Sequence, residues 1–88
     1  MKLVDSCLNQ LTSAQTRRAY RRDLRDFFGE DLPSRKEVEE IEVDDLRMFV
    51  RRLREEGLSE ATQRRRLAAL RGFFDWLIEQ GHRSDNPA

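Results

Sequence analysis

The chain has 88 residues, of which 38% are hydrophobic, enough for one small domain with a thin core. Its 17 basic and 17 acidic side chains cancel, so bulk charge argues neither for nor against a polyanionic partner. A lone cysteine, Cys7, excludes an intrachain disulfide and a cysteine metal cluster, and no apolar run approaches the ~20 residues that span a bilayer.

The first stretch, Lys2–Leu11, carries Leu3, Val4, Cys7, Leu8 and Leu11 on one helical face. It reads as a short helix that packs on the domain or on a neighbouring molecule. Thr12-Ser13 then offers an N-cap for a second helix, Ala14–Phe28, whose apolar face is Tyr20, Leu24, Phe27 and Phe28. On a helical wheel Arg17, Arg21, Arg25, Arg18 and Arg22 follow one another over roughly 140°. Asp23 and Asp26 fall on the opposite flank. Solvation alone does not sort signs in this way, so the arc reads as a binding surface.

Gly29 stops that helix. Residues 30–42 are acidic and broken by Pro33 and Ser34, and they read as an ordered connection with one helical turn, anchored by Val38 and Ile41. Val43–Glu56 is a third main helix with Leu46, Phe49, Val50 and Leu53 inward and Asp44 and Asp45 in its first turn. Glu42 stands where Ser or Thr would cap better. Gly57 ends the helix, and Leu58 precedes the Ser59 cap of the last one.

That last helix, Glu60 to about Gln80, has Gln63, Leu67, Leu70, Phe74, Leu77 and Ile78 on its core stripe. Arg64, Arg65 and Arg66 crowd its N-terminal half. A second stripe of Ala61, Arg65, Ala68, Gly72 and Trp76 lies away from the core. The small residues on it let another backbone approach, and Trp76 fits packing against the first helix better than stacking on a base. Gly81 closes the helix. The expected core is Tyr20, Leu24, Phe28, Phe49, Leu53, Leu67, Leu70, Phe74 and Leu77. His82 is expected to be a solvated loop residue, and Cys7 a small half-buried hydrophobe. The fold class is all-α, with four main helices and the connecting turn as a fifth.

No glycine-rich phosphate loop, metal-ligand spacing or nucleophile beside a histidine is present in the sequence, so neither catalysis nor a cofactor or metal is expected of this chain. What the sequence does offer is arginine at the N-terminal halves of two helices. A helix fits the major groove, and arginine's forked guanidinium suits phosphates and guanine edges alike. The expected DNA-binding set is Arg17, Arg18, Arg21, Arg22 and Arg25 with Thr62, Arg64, Arg65 and Arg66.

A family resemblance sharpens this. Thr16, Tyr20, Asp23-Leu24 and Phe27 or Phe28 resemble the first helical motif of the N-terminal, SAM-like core-binding domain of tyrosine recombinases, the phage-integrase and Xer-type enzymes. Gly57-Leu58-Ser59, Thr62, Arg65, Leu67, Leu70-Arg71, Phe73-Phe74 and Trp76-Leu77 look like that family's second motif. Asp85-Asn86-Pro87 looks like its ending. The resemblance implies a four-to-five-helix orthogonal bundle over 1–85, with 86–88 opening a linker to a catalytic domain outside this chain. It implies a module that clamps double-stranded DNA opposite that domain and meets other recombinase protomers, four in the parent, through the first helix; a cytoplasmic protein fits the lack of a membrane-length apolar run and of a signal-peptide pattern. It singles out Arg65 among the arginines. Two other classes stay open: a SAM-like protein-interaction domain that uses the acidic segment, and a helix-turn-helix transcriptional regulator.

Overall fold

The computed structural model describes residues 3–29 and 35–88, and within them every regular element is a helix. There are five: α1 (Leu3–Leu8), α2 (Ala14–Phe28), α3 (Arg35–Glu40), α4 (Val43–Glu55) and α5 (Glu60–Glu79). The all-α expectation and the boundaries of the longer helices agree with the sequence reading, and the reasons are visible at the helix ends. Ser13 accepts from the Thr16 N–H at 3.3 Å, and Ser59 accepts from the Thr62 N–H at 3.2 Å. Both are hydroxyl N-caps.

The α4 start, uncertain in sequence, is fixed in reverse. The Asp45 carboxylate reaches back and accepts from the Glu42 N–H at 2.8 Å. A residue three positions along thus satisfies the orphan donor that a Ser or Thr would have left to it in a capping box. Both later helices end alike. After α5, His82 N–H donates to Leu77 O at 2.8 Å and Gly81 N–H to Ile78 O at 3.0 Å. After α4, Leu58 N–H reaches Leu53 O at 3.4 Å and Gly57 N–H reaches Arg54 O at 3.0 Å. Gly57 and Gly81 sit at φ 74° and 76°, the left-handed conformation this paired closure needs.

α1 is shorter than its apolar spacing predicts. After Leu8 the ladder tightens: Gln10 N–H donates to Cys7 O and Leu11 N–H to Leu8 O, bonds of the three-residue kind that end a helix. Its apolar face is nevertheless used, with Val4 and Leu8 fully buried. α3 turns the expected single turn into six residues. Val38 is its buried anchor. Arg83 holds the segment from outside, donating to Val38 O at 2.6 Å and Ile41 O at 2.7 Å while its guanidinium lies 5.4 Å from the Phe74 ring centre. Residues 30–34 of the acidic segment, and Lys2, lie outside the described residues.

α5 is the axis of the domain: α1, α2 and α4 all pack on it. That explains where the expected core needs correction. Phe73 and Trp76 are buried, though Phe73 was absent from the predicted stripe and Trp76 was placed away from it. With neighbours on several sides, the buried arc of α5 runs from Trp76 to Phe74 over roughly 160° of the wheel, wider than one stripe. Trp76 stacks on Phe73 at 6.3 Å between centroids and meets His82 at 5.9 Å, so His82 is half-buried where a solvated loop was expected. Tyr20, Phe28 and Leu67 pack against the core from its partly exposed rim, and Val50 is likewise half-buried. The group approaching Gly72 is the Tyr20 side chain of α2, whose hydroxyl would lie 3.6 Å from an added Cβ.

The chain's end is held in place. Asn86 donates from Nδ2 to Arg71 O at 3.2 Å and to the Asp75 carboxylate at 2.8 Å, and Pro87 is buried. The first residues of the expected linker thus lie docked on α5.

Candidate nucleic-acid interface

Among the described residues, some arginine guanidinium groups are occupied by the fold and others face solvent without a partner. α2 is flanked by α1 on one side and α5 on the other. On the α1 side, Arg17 donates from Nη1 to Leu11 O at 2.5 Å, and Arg21 pairs with Asp5 at 2.6 Å. These two arginines of the basic arc fasten α1 and its following turn to α2. Arg18, Arg22 and Arg25 follow them on the wheel, are exposed, and make no ion pair or side-chain hydrogen bond among the described residues.

On the α5 side, the three consecutive arginines point three ways. Arg66 is 20% exposed and donates to the Asp26 carboxylate at 2.5 Å. The same carboxylate receives Arg52 of α4 at 3.1 Å, and Arg52 also donates to Asp26 O at 2.6 Å. Arg52 lies 5.0 Å from the Phe49 ring centre. Asp26 therefore ties α2, α4 and α5 together. Arg65 is half-exposed and reaches Asp23, itself 3% exposed, at 3.5 Å. Only the exposed end of that contact is free for a ligand. Arg64 is exposed and unbonded. Thr62 is half-buried and accepts at Oγ1 from the Ser59 hydroxyl at 3.0 Å, leaving its own hydroxyl proton to donate.

The predicted site residues therefore sort into two sets. Arg18, Arg22, Arg25, Arg64, Arg65 and Thr62 present groups to solvent, whereas Arg17, Arg21 and Arg66 are engaged in holding helices together. Between α2 and α5 lies an open groove of about 300 Å³ where Gln15, Thr16 and Ala19 of α2 face Arg65 and Ala68 of α5. The small side chains keep the floor low beside the Arg65 fork, and Gln15 and Thr16 bring the first turn of α2 to it.

A second arginine cluster escaped the sequence reading. Arg47, Arg51 and Arg54 of α4 and Arg71 of α5 line another groove, of about 440 Å³, on the opposite flank of α5. The signal was present as the i, i+4, i+7 spacing of the three α4 arginines, hidden by the acids interspersed along the same helix. The acidic residues of α3 line neither groove. Glu37 and Glu40 border a third one, with Phe27, Met48 and Phe49, on the far side of α4. No cluster of metal-binding side chains occurs among the described residues, and no helix there is long and apolar enough to cross a membrane. Burial, with Glu79 nearby, pushes the Cys7 thiol up from 9.0 to about 11, so it stays protonated and unreactive near neutrality.

Comparison with known proteins agrees with this architecture. The sequence pattern of the phage integrase N-terminal SAM-like domain matches residues 7–81. The tyrosine recombinase XerC of Xylella fastidiosa (strain 9a5c) is 39% identical over 77 residues, covering 86% of this chain and 26% of the relative. XerC of Xanthomonas campestris pv. campestris (strain B100) is 34% identical over 82 residues, 92% of this chain and 26% of the relative. The tyrosine recombinase XerD of Rhizobium meliloti (strain 1021) is 35% identical over 75 residues, 85% of this chain and 24% of the relative. The chain thus spans about a quarter of the length of these curated relatives. No solved structure matches it.

Proposed function

Since the chain belongs to the phage integrase N-terminal SAM-like family, we infer that it is the DNA-holding module of a longer tyrosine recombinase. In this reading it grips duplex DNA from the side opposite a catalytic domain and cleaves nothing by itself. The observation that carries the reading is the groove between α2 and α5, lined by Arg65, with the exposed and unpaired Arg22 and Arg64 outside its lining. The first turns of α2 and α5 add positive partial charge of their own. Arginines that touch phosphate give affinity and register, and one that enters the groove edge-on reads guanine. Arg65 is the candidate reader, because Asp23 fixes one side of its guanidinium and leaves the other outward.

The parent recombinase would act on DNA as an assembly of protomers in the cytoplasm. A contact through α1 would use its outer polar side, since Val4 and Leu8 are enclosed within this domain.

The test is titration of a duplex carrying the parent's recombination site at several salt concentrations. Arg22→Ala is expected to weaken binding to all sequences and lower the salt slope by about one. Arg65→Ala is expected to lose about 1–3 kcal/mol of discrimination at one base pair. Arg52→Ala, which removes the pairings with Asp26 and Glu56 and lines neither arginine groove, serves as control. If Arg52→Ala weakens binding as much as the other two, the assigned face is wrong. If the native chain shows no salt-dependent duplex binding, the reading itself falls.

A further inference from the structure

We propose that the groove between α4 and α5 is a second phosphate-binding surface, which carries the DNA backbone past α5 on the side away from α2. The proposal rests on the DNA-holding reading above and extends it to residues outside the two helix starts. Four arginines, Arg47, Arg51, Arg54 and Arg71, converge on this groove, and no aspartate or glutamate side chain lines it. In a chain with zero net charge that is a strongly one-signed patch.

The guanidinium groups there are available. Arg51 and Arg54 are exposed and make no ion pair or side-chain hydrogen bond among the described residues. Arg71 uses only Nε, donating to Ala88 O at 3.3 Å, and keeps its outer fork. Arg47 has a single loose pairing, with Asp44 at 3.4 Å, and both partners are more than three-quarters exposed, so a phosphate can displace it.

The spacing suits a nucleic-acid strand. Arg47, Arg51 and Arg54 climb α4 in steps of about 6 and 4.5 Å, against about 3.4 Å of axis per phosphate on one strand. One arginine for every one or two phosphates follows. The patch is also continuous with the first face. Arg64 and Arg71 are seven residues apart on α5 and differ by only about 20° around it, so Arg64 stands on the Arg71 side of the helix, one step of about 100° from Arg65. The floor, Val50 and Leu67, offers sugar a surface to pack on and no polar group that competes for the arginines. An acidic polypeptide shares the negative charge, but the continuity through Arg64 favours DNA.

The experiment is salt-dependent duplex titration of the native chain, Arg51→Ala/Arg54→Ala, Arg51→Lys/Arg54→Lys and Arg65→Ala, with poly-L-glutamate binding measured on each. The double alanine variant is expected to lower the salt slope by about two and to weaken duplex binding at least about tenfold near 0.1 M salt. The double lysine variant should restore the slope, because charge rather than fork geometry carries a phosphate contact. An unchanged slope in the alanine variant overturns the proposal, and if Arg65→Ala still weakens binding the DNA-holding reading survives that failure. An unchanged slope with loss of poly-L-glutamate binding assigns the groove to an acidic polypeptide, which also overturns it.

Discussion

Arg64, Arg65 and Arg66 are consecutive, chemically identical and in one helix, yet they belong to two regions of the molecule. Arg66 lies in the seam where α2, α4 and α5 meet, four-fifths covered and bound to a carboxylate that also receives Arg52. Arg64 lies on the outer face with nothing bonded to it. Arg65 stands at the boundary, one end on a buried aspartate and the other in solvent. The difference teaches that an arginine cluster in sequence is not yet a binding site. Each step of about 100° around a helix changes the neighbour, and the neighbour decides whether the group builds the fold or faces a ligand.

The seam can be broken first at its apolar centre. Leu70 is fully buried on the inward side of α5, and Leu70→Ala is expected to cost about 2–5 kcal/mol in urea unfolding. A loss under about 1 kcal/mol would mean that the α5 interior is not packed as described. The polar centre comes next. Asp26→Ala strands the covered Arg66 and part of Arg52, and about 1–3 kcal/mol should be lost. Equal stability of this variant and the native chain would place Arg66 with the outer set.

On the outer face, Gly72→Ala should stabilise by up to about 1 kcal/mol, because the new methyl meets the Tyr20 side chain at ordinary contact distance and the helix loses a flexible residue. Destabilisation would show that α2 and α5 lie closer than the structure has them. The smallest effect concerns Cys7, whose raised thiol pKa favours the protonated form in the folded state. Native protein should react with a thiol reagent more slowly at pH 8 than urea-unfolded protein does. The sign for stability follows: the contribution is complete below 9.0 and is lost as the pH rises through about 11. A native thiol as reactive as the unfolded one would contradict the burial of α1.

Much of this was legible in the sequence, because helix ends are local chemistry. Ser13, Ser59, Gly57 and Gly81 each act within a few residues of themselves, so α2 and α5 begin, and α4 and α5 end, where those residues dictate. Family membership was legible for the same reason, in motifs on α2, on α5 and in the short segments that flank α5. The core rim was less so. Phe73 and Trp76 looked peripheral to a single stripe, since the number of neighbours around α5 is a tertiary fact. The site was legible only as a list of candidates. Asp5, Asp23, Asp26 and the Leu11 carbonyl lie on segments whose packing no wheel supplies, and they determine which of the nine residues remain free. The α4 arginines were passed over because Asp44, Asp45, Glu55 and Glu56 share their helix, although none of these acids lines the groove the arginines form.

The central claim is that pairing within the fold, not position in the sequence, separates DNA-holding arginines from structural ones. Arg64 and Arg66 test it most directly, through duplex affinity across a salt series for Arg64→Ala and Arg66→Ala under conditions where both remain folded. Arg64→Ala is predicted to weaken duplex binding and reduce the salt slope by about one, while Arg66→Ala leaves the slope unchanged. A slope reduced by Arg66→Ala and untouched by Arg64→Ala would contradict the account.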